Sequence, residues 1–429
     1  MARFGFLADD LTGASDVLAQ AHAQGLDAML VLDPARARAD AADVVGIAGP
    51  ARSLAGDALD EAVRSGLAAL APLDLSVLLY KVCSTFDSSP TVGSIGRGIE
   101  LLHERFPAHG PVPVVPAQPG FGRYTAFSQH FGAHAGEVYR LDRHPVMSRH
   151  PSTPMHEADL RLVLAAQLAS RRAVPGLHLP AFTDGTFADR WTQLRETADG
   201  EAFVVDAVTE AHVDVVAAAL LRDVRPSGPA LVVGSGGIMA GLARHVGSGT
   251  RRATTPSASR GATLVVSASA SSTTADQIAD AVQHGWVDVP IPAGAFAADS
   301  VAETPWAAAV EAALRAGRDV VAHTTRGPDD ARLRAGSVTA AEVGGTIGRL
   351  AGTLARRGLT RDVVVCGGDT SSHALLAMEV AELRVSEQFV TAGPICTTDD
   401  RAAVAGCRVL LKGGQVGTPD LFRRFAGQL

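Results

Sequence analysis

The chain has 429 residues, with 38 basic and 45 acidic side chains for a formal charge of −7, and its residues are 47% hydrophobic and 19% charged. That length accommodates two or three domains at roughly 100–200 residues each, and no apolar run approaches the ~18 residues that cross a bilayer. No signal-peptide pattern follows Met1, the four cysteines (Cys83, Cys366, Cys396, Cys407) form no C-x-x-C pair, and mild acidity with three tryptophans and three tyrosines argues against a nucleic-acid partner, so the expectation is a cytoplasmic enzyme.

Strand-like runs occur at Arg3–Ala8, Ala28–Asp33, Val44–Ala48, Val77–Val82 and Val112–Ala117, with helical stretches such as Gly13–Gln24 between several of them. The His-, Arg- and Pro-rich stretch Val138–Pro154 reads as a long loop. A strand at Ala230–Val233 runs into Gly234-Ser235-Gly236-Gly237 and a helix, and Gly247–Gly261 has the composition of a linker. The alternation then resumes with strand Thr263–Ser267, helix Asp276–His284, strand Val320–Ala322 and helix Ala340–Arg357. Strand Val363–Val365, helix Ser372–Val380 and strand Arg408–Leu411 complete it. Strands separated by helix-length segments predict an α/β fold of two domains, each a mostly parallel sheet flanked by helices. The boundaries are 1–247 and 262–429, with a linker over 248–261.

The cations are distributed unevenly: 36 are arginine and two are lysine, Lys81 and Lys412. An ammonium is a compact point charge and a guanidinium a planar fork, so two lysines kept in such a chain mark positions where the fork does not serve.

Three constellations carry chemistry. The first predicted strand ends in Ala8-Asp9-Asp10-Leu11-Thr12-Gly13-Ala14, two carboxylates where open α/β sheets bind ligands. Asp10 or Thr12 also suits a helix N-cap. The second is Lys81-Val82-Cys83-Ser84-Thr85-Phe86-Asp87-Ser88, followed by Gly93-Ser94-Ile95-Gly96. It sets a lysine before hydroxyls and a helix entry able to cradle an anion. The third has three parts in the second domain: Ser267-Ala268-Ser269, Gly367-Gly368-Asp369-Thr370-Ser371, and Lys412-Gly413-Gly414-Gln415-Val416-Gly417. Glycines admit close backbone approach to phosphate, so these turns suit a nucleotide.

Other patterns are incomplete. There is no P-loop and no protein-kinase signature. Met239 stands where a dinucleotide fingerprint needs its last small residue, which argues against a dehydrogenase. His130 and His134 lack the glutamate of a zinc protease motif, and the metal ligands, if any, stay unassigned.

These motifs, together with His150-Pro151-Ser152-Thr153-Pro154-Met155, resemble the four-carbon acid sugar kinases from end to end. The Cys83–Ser88 wording is similar to the 3-oxo-tetronate kinase branch; threonate and erythronate branches tend to read Asp-Ser-Thr-Leu-Arg-Gly there. This chain has Ser94 where the branch usually has asparagine, Gln415 and Val416 where it has asparagine and phenylalanine, and Ala268 where it has glycine.

The resemblance implies an ATP- and Mg²⁺-dependent transferase that phosphorylates the terminal 4-hydroxyl of a sugar acid held by the first domain. Asp9 or Asp10 would accept or orient the proton, with Lys81 as the third catalytic residue. Ser84, Thr85 and Asp87 would grip the acid, joined by Arg149 and His150. Ser267, Ser269, Gly367, Gly368, Asp369, Thr370, Ser371, Lys412, Gly413, Gly414, Gln415, Val416 and Gly417 would hold the nucleotide. A homodimer, and closure of the domains to exclude water, also follow from it. A D-threonate, D-erythronate or other hydroxy-acid kinase, and a sugar-acid sensor without turnover, are the alternatives.

Overall fold

The computed structural model describes residues 3–33, 42–150, 152–196, 200–247, 259–297, 304–334, 338–390, 393–399, 404–414 and 416–429; the Asp369 side chain is outside that description, as are Pro151, Gln415 and most of the expected linker. The chain forms two compact units: Met1–Ala28 with Ala39–Arg252, and Met29–Arg38 with Ala253–Leu429.

In chain order the described strands up to Gly234 are β1 (Phe4–Ala8), β2 (Ala28–Val31), β3 (Val44–Ala48), β4 (Val77–Lys81), β5 (Val112–Val115), β6 (Arg123–Ala126), β7 (Gln129–His134), β8 (Glu137–Arg140), β9 (Gly176–Leu177), β10 (Ala202–Val205) and β11 (Ala230–Gly234). The first unit's main sheet is parallel in the order β3-β1-β4-β11-β5-β10-β9. Its strands are buried on both faces, which is why they read as continuous apolar runs rather than alternating ones. Gly46 lies opposite Phe6, and a Cβ there would fall 1.8 Å from the Phe6 ring, so the glycine lets the aromatic lie across its neighbour.

The segment expected as a long loop over Val138–Pro154 begins inside a strand. β6, β7 and β8 form a separate antiparallel sheet, and short 3₁₀ turns at Leu141–Arg143 and Met147–Arg149 follow it.

The second unit contributes β12 (Thr263–Ser267), β13 (Val287–Pro290), β14 (Val320–His323), β15 (Asp362–Cys366), β16 (Glu382–Val390), β17 (Gly393–Thr398) and β18 (Arg408–Lys412). Its order is β13-β14-β12-β15-β18-β17-β16-β2, parallel through β18 and antiparallel beyond. β2 comes from the amino-terminal part of the chain, yet it pairs with β16 in this unit. The core gathers Val265, Ile278, Trp286, Val364, Leu410 and Phe422. The helix expected from Ser372 starts at Gly368, because Gly367 takes the N-cap with φ +135 and the glycine turn itself enters the helix. Among the described residues no helix is long and apolar enough to cross a membrane.

Candidate active site

In the first unit the register brings four strand ends together. Ala8 pairs with Ala48 and Lys81, and Lys81 pairs with Gly234, so the turns after β1, β3, β4 and β11 open on one edge. Two backbone bonds continue the alignment past the strands, Asp9 N–H to the Lys81 carbonyl and Arg52 N–H to the Asp9 carbonyl, each 3.0 Å.

Asp9 and Asp10 are both buried and share one guanidinium. Arg52 donates from Nε and Nη2 to the two oxygens of Asp9 (3.1 and 2.8 Å) and from Nη1 and Nη2 to those of Asp10 (2.7 and 2.8 Å). Asp10 also caps the helix Leu11–Ala23, accepting from the Gly13 N–H at 2.6 Å. Burial, reinforced by the Asp10 charge, pushes the Asp9 carboxyl above its ordinary range against the pull of Arg52.

Lys81 is 2% exposed and donates to the Val82 carbonyl at 2.8 Å. A Cβ on Gly13 would fall 2.6 Å from Asp10 Oδ1 and 2.9 Å from Lys81 Nζ, so ammonium and carboxylate flank the same small gap. A third carboxylate, Asp16, is buried nearby. It accepts from Gln20 and Gln118 Nε2 (both 3.1 Å), and burial raises its pKa while the Lys81 charge opposes the rise. A Cβ on Gly236 would stand 2.2 Å from Asp16 Oδ2, so the glycine leaves room for this carboxylate.

The loop after β4 is held from several sides. Thr85 Oγ1 donates to Asp87 Oδ1 at 2.6 Å and lies 2.9 Å from Cys83 Sγ, whose thiol burial pushes up to about 11. Phe86, fully buried, sits at φ +57, a left-handed conformation that costs a bulky residue on the order of 1–3 kcal/mol. His130 donates from Nε2 to the Ser84 carbonyl and receives the Thr125 hydroxyl at Nδ1, both at 2.8 Å. Gln167 bridges Ser88 Oγ (2.9 Å) and the Gly96 N–H (3.0 Å), while Ser94 caps the helix Ile95–Arg105.

Asp9, Asp10 and Lys81 therefore come together, and Ser84, Thr85 and Asp87 follow directly on the lysine strand. Arg149 is exposed, and His150 accepts the N–H of Thr153 within its own turn (3.1 Å); no described contact joins either to the carboxylate cluster. Sequence reasoning passed over Arg52, Gln118 and Gln167. Arg52 lies four residues beyond the end of β3, a strand-end position that points to Asp9 and Asp10 only once β3 is known to lie beside β1.

In the second unit β12, β15 and β18 are neighbours, with Ser267 opposite Cys366 and Cys366 opposite Lys412. Lys412 is 1% exposed. Its Nζ donates to Thr274 Oγ1 (2.6 Å) and to the Gly414 carbonyl (3.2 Å), and burial pulls its pKa below the usual lysine range. The Thr274 hydroxyl lies 3.0 Å from Ser269 Oγ, and Ser271 Oγ donates to the Gly414 carbonyl at 2.7 Å. Ser267 Oγ accepts the Ser269 N–H at 3.4 Å. Gln277 Nε2 holds the carbonyls of Val416 and Thr418 (both 3.0 Å), which fixes the loop through Gly413 and Gly417.

Gly367 N–H donates to the Lys412 carbonyl at 3.1 Å, Ser371 Oγ donates to the Gly367 carbonyl, and Gly368 opens the helix. The Thr370 hydroxyl is buried without a partner among the described residues. It faces the Gly367 turn and lines a cavity of about 200 Å³ with Ala268, Phe296, Thr324, Leu333 and Val343. Backbone N–H groups at a helix entry, beside a small recess that Arg332 also lines, suit a nucleotide's phosphates and one further moiety.

The fold and these two edges define a two-domain α/β protein with a polar, lysine-bearing strand edge in each unit. Residues 4–242 match the sugar-binding N-terminal domain and residues 264–422 the nucleotide-binding C-terminal domain. The chain belongs to the four-carbon acid sugar kinase family. It is 34% identical to a 3-oxo-isoapionate kinase of Paraburkholderia graminis, over 97% of this chain and 92% of that protein. It is 31% identical to a 3-oxo-tetronate kinase of Cupriavidus necator and 30% identical to one of Pseudomonas fluorescens, each over 99% of this chain and 96% of the relative. A solved Haemophilus influenzae protein of the same fold superimposes with a TM-score of 0.76 at 22% identity, covering 99% of both chains.

Proposed function

We propose that the protein is an ATP-dependent kinase that transfers the γ-phosphoryl group to the terminal 4-hydroxyl of a four-carbon sugar acid, 3-oxo-tetronate. The observation that carries the reading is Lys81, buried beside a clamped carboxylate pair in the sugar-binding half. The hydroxyl oxygen attacks the γ-phosphorus, the bond to the ADP oxygen breaks, and the hydroxyl proton passes to a carboxylate. Asp9 is the acceptor: burial raises its pKa toward working pH, which favours a general base, whereas Asp10 also caps a helix through the Gly13 N–H. Lys81 binds the acid's carboxylate, with Ser84, Thr85 and Asp87 at its hydroxyls.

The Gly367, Gly413 and Gly417 turns, with Ser269 and Ser371, hold the nucleotide. The hydrogen bonds of Lys412 to Thr274 and the Gly414 carbonyl support the glycine loop. The site fits a magnesium nucleotide. Mg²⁺ is bound through one or two carboxylates and phosphate oxygens rather than a protein cage. Asp10 would supply that carboxylate, which leaves Asp9 for the proton, and the ion would neutralise phosphate charge. A cytoplasmic homodimer, carried by the family resemblance, completes the reading; light scattering behind size exclusion tests the dimer.

A second substrate has a specific observation behind it, the 34% identity to the 3-oxo-isoapionate kinase. Coupled ADP release with 3-oxo-tetronate, 3-oxo-isoapionate, D-threonate and D-erythronate decides. The highest kcat/KM on 3-oxo-tetronate supports the proposal, and a higher value on another acid reassigns the substrate. Tight acid binding without any ADP release would make the protein a sensor.

A further inference from the structure

The edge opposite Lys81 in the first unit holds a cavity of about 400 Å³, lined by the turns 71–76, 105–110 and 223–229, which precede β4, β5 and β11. That volume lies within the ~300–1,000 Å³ of small-molecule sites. β4 starts at the cavity and ends in Lys81, which puts about 15 Å of strand between the two at ~3.3 Å per residue.

The floor is built around a buried arginine. Arg195, 8% exposed, donates from Nε to Asp223 Oδ2 (2.9 Å), from Nη1 to the Pro111 carbonyl (2.7 Å) and from Nη2 to His109 Nε2 (3.0 Å). His109 also accepts the Leu231 N–H at Nε2 (2.9 Å) and donates from Nδ1 to the Gly110 carbonyl (2.7 Å). Gly110 packs so tightly that a Cβ would meet the Arg195 carbonyl at 2.1 Å. The turns carry Pro107, Pro226 and Pro229, whose fixed φ keeps the cavity's shape set before anything binds.

The rim is charged and unsatisfied. Arg105 and Arg225 are exposed and have no ion pair among the described residues; Arg105 only stacks on Phe106, 5.2 Å from the ring centre. Of the two lining carboxylates, Asp223 is taken by Arg195 and by Trp191 Nε1 (2.9 Å), which leaves Asp74 against two guanidinium groups. Burial and the Arg195 charge push His109 down to about 3, so it stays neutral, and the net charge at the rim is that of the Arg105 and Arg225 guanidinium groups against Asp74. Such a concavity, on a chain of net charge −7, selects anions.

We propose that this cavity is a second ligand site, separate from the kinase centre, that takes a small molecule with a phosphate or carboxylate head held by Arg105 and Arg225. The proposal is independent of the kinase reading. Trp191 is the tryptophan of this unit, and its bond to Asp223 makes its fluorescence report on the cavity.

The full-length protein and its Arg105→Gln/Arg225→Gln variant are titrated with potassium phosphate and, separately, with succinate at constant ionic strength. Fluorescence and calorimetry are followed together. The wild type is expected to saturate, with the double variant at least ~10-fold weaker and its turnover on the sugar acid unchanged. Saturation by phosphate alone assigns a phosphate head, and by succinate alone a carboxylate head. Equal titration of both proteins, or no heat and no fluorescence change with either anion, overturns the site. Anion binding at the nucleotide loops is common to both proteins and cancels in the comparison.

Discussion

Arg52 meets Asp9 as a two-pronged fork, Nη2 to Oδ1 at 2.8 Å and Nε to Oδ2 at 3.1 Å, across a sequence separation of 43 residues. The same guanidinium holds Asp10, so two adjacent carboxylates share one fork.

Removing that fork leaves two buried carboxylates without their direct ion-pair partner. Arg52→Ala should destabilise the protein by about 3–5 kcal/mol, read by urea unfolding. Arg52→Lys keeps charge but not the fork. Arg52 lowers the Asp9 pKa, so its loss raises that pKa further. The acid limb of the kcat/KM profile, which needs Asp9 ionised, should therefore move to higher pH. An unmoved limb in a folded variant would remove Asp9 from the role of base.

Lys81→Arg should lower turnover by about 10²–10³-fold despite preserved charge. The ammonium lies in a gap too small for one more methyl at Gly13, and a guanidinium is larger and planar. Steady-state ADP release measures the loss; near-normal activity would make the rarity of lysine a compositional accident.

Lys412→Met deprives Thr274 and the Gly414 carbonyl of their buried donor. ADP should bind about 10-fold more weakly by calorimetry, the equivalent of one unsatisfied buried group. The sugar acid should bind as before, since its residues belong to the other unit.

Burial holds His130 down to about 4 against an ordinary 6.5, so the unfolded chain binds the extra proton first. Stability should fall as pH drops from 6.5 to about 4. His130→Gln should lose about 3 kcal/mol less over that window in urea titrations at several pH values. Equal slopes for both proteins would contradict a buried neutral imidazole.

The alternation of apolar runs with helix-length segments made both parallel sheets legible, because strands covered on both faces carry continuous hydrophobic sequence. Asp9, Asp10 and Lys81 were legible for a different reason: each ends a recognisable strand. Arg52 was not. One arginine among 36 carries no signal by type, and its position speaks only once β3 is known to lie beside β1. β16 and β17 escaped notice as well. β16 buries alternate residues, as a strand with one covered face does, so it lacks the solid apolar run that marked the others. The His-, Arg- and Pro-rich stretch after β7 has no clean period, and its strand and short turns stayed hidden.

The exchange of β2 limits how the chain can be divided. Cutting it in the stretch between the two family domains does not yield a free nucleotide-binding half, because β2 departs with the amino-terminal fragment. β16 would then become an edge with unpaired N–H and C=O groups, open to any other extended chain. A carboxy-terminal fragment expressed alone should aggregate, and one supplied with residues 28–33 as a separate peptide should stay in solution. Complementation by a short strand thus becomes a handle for assembling the nucleotide half by itself.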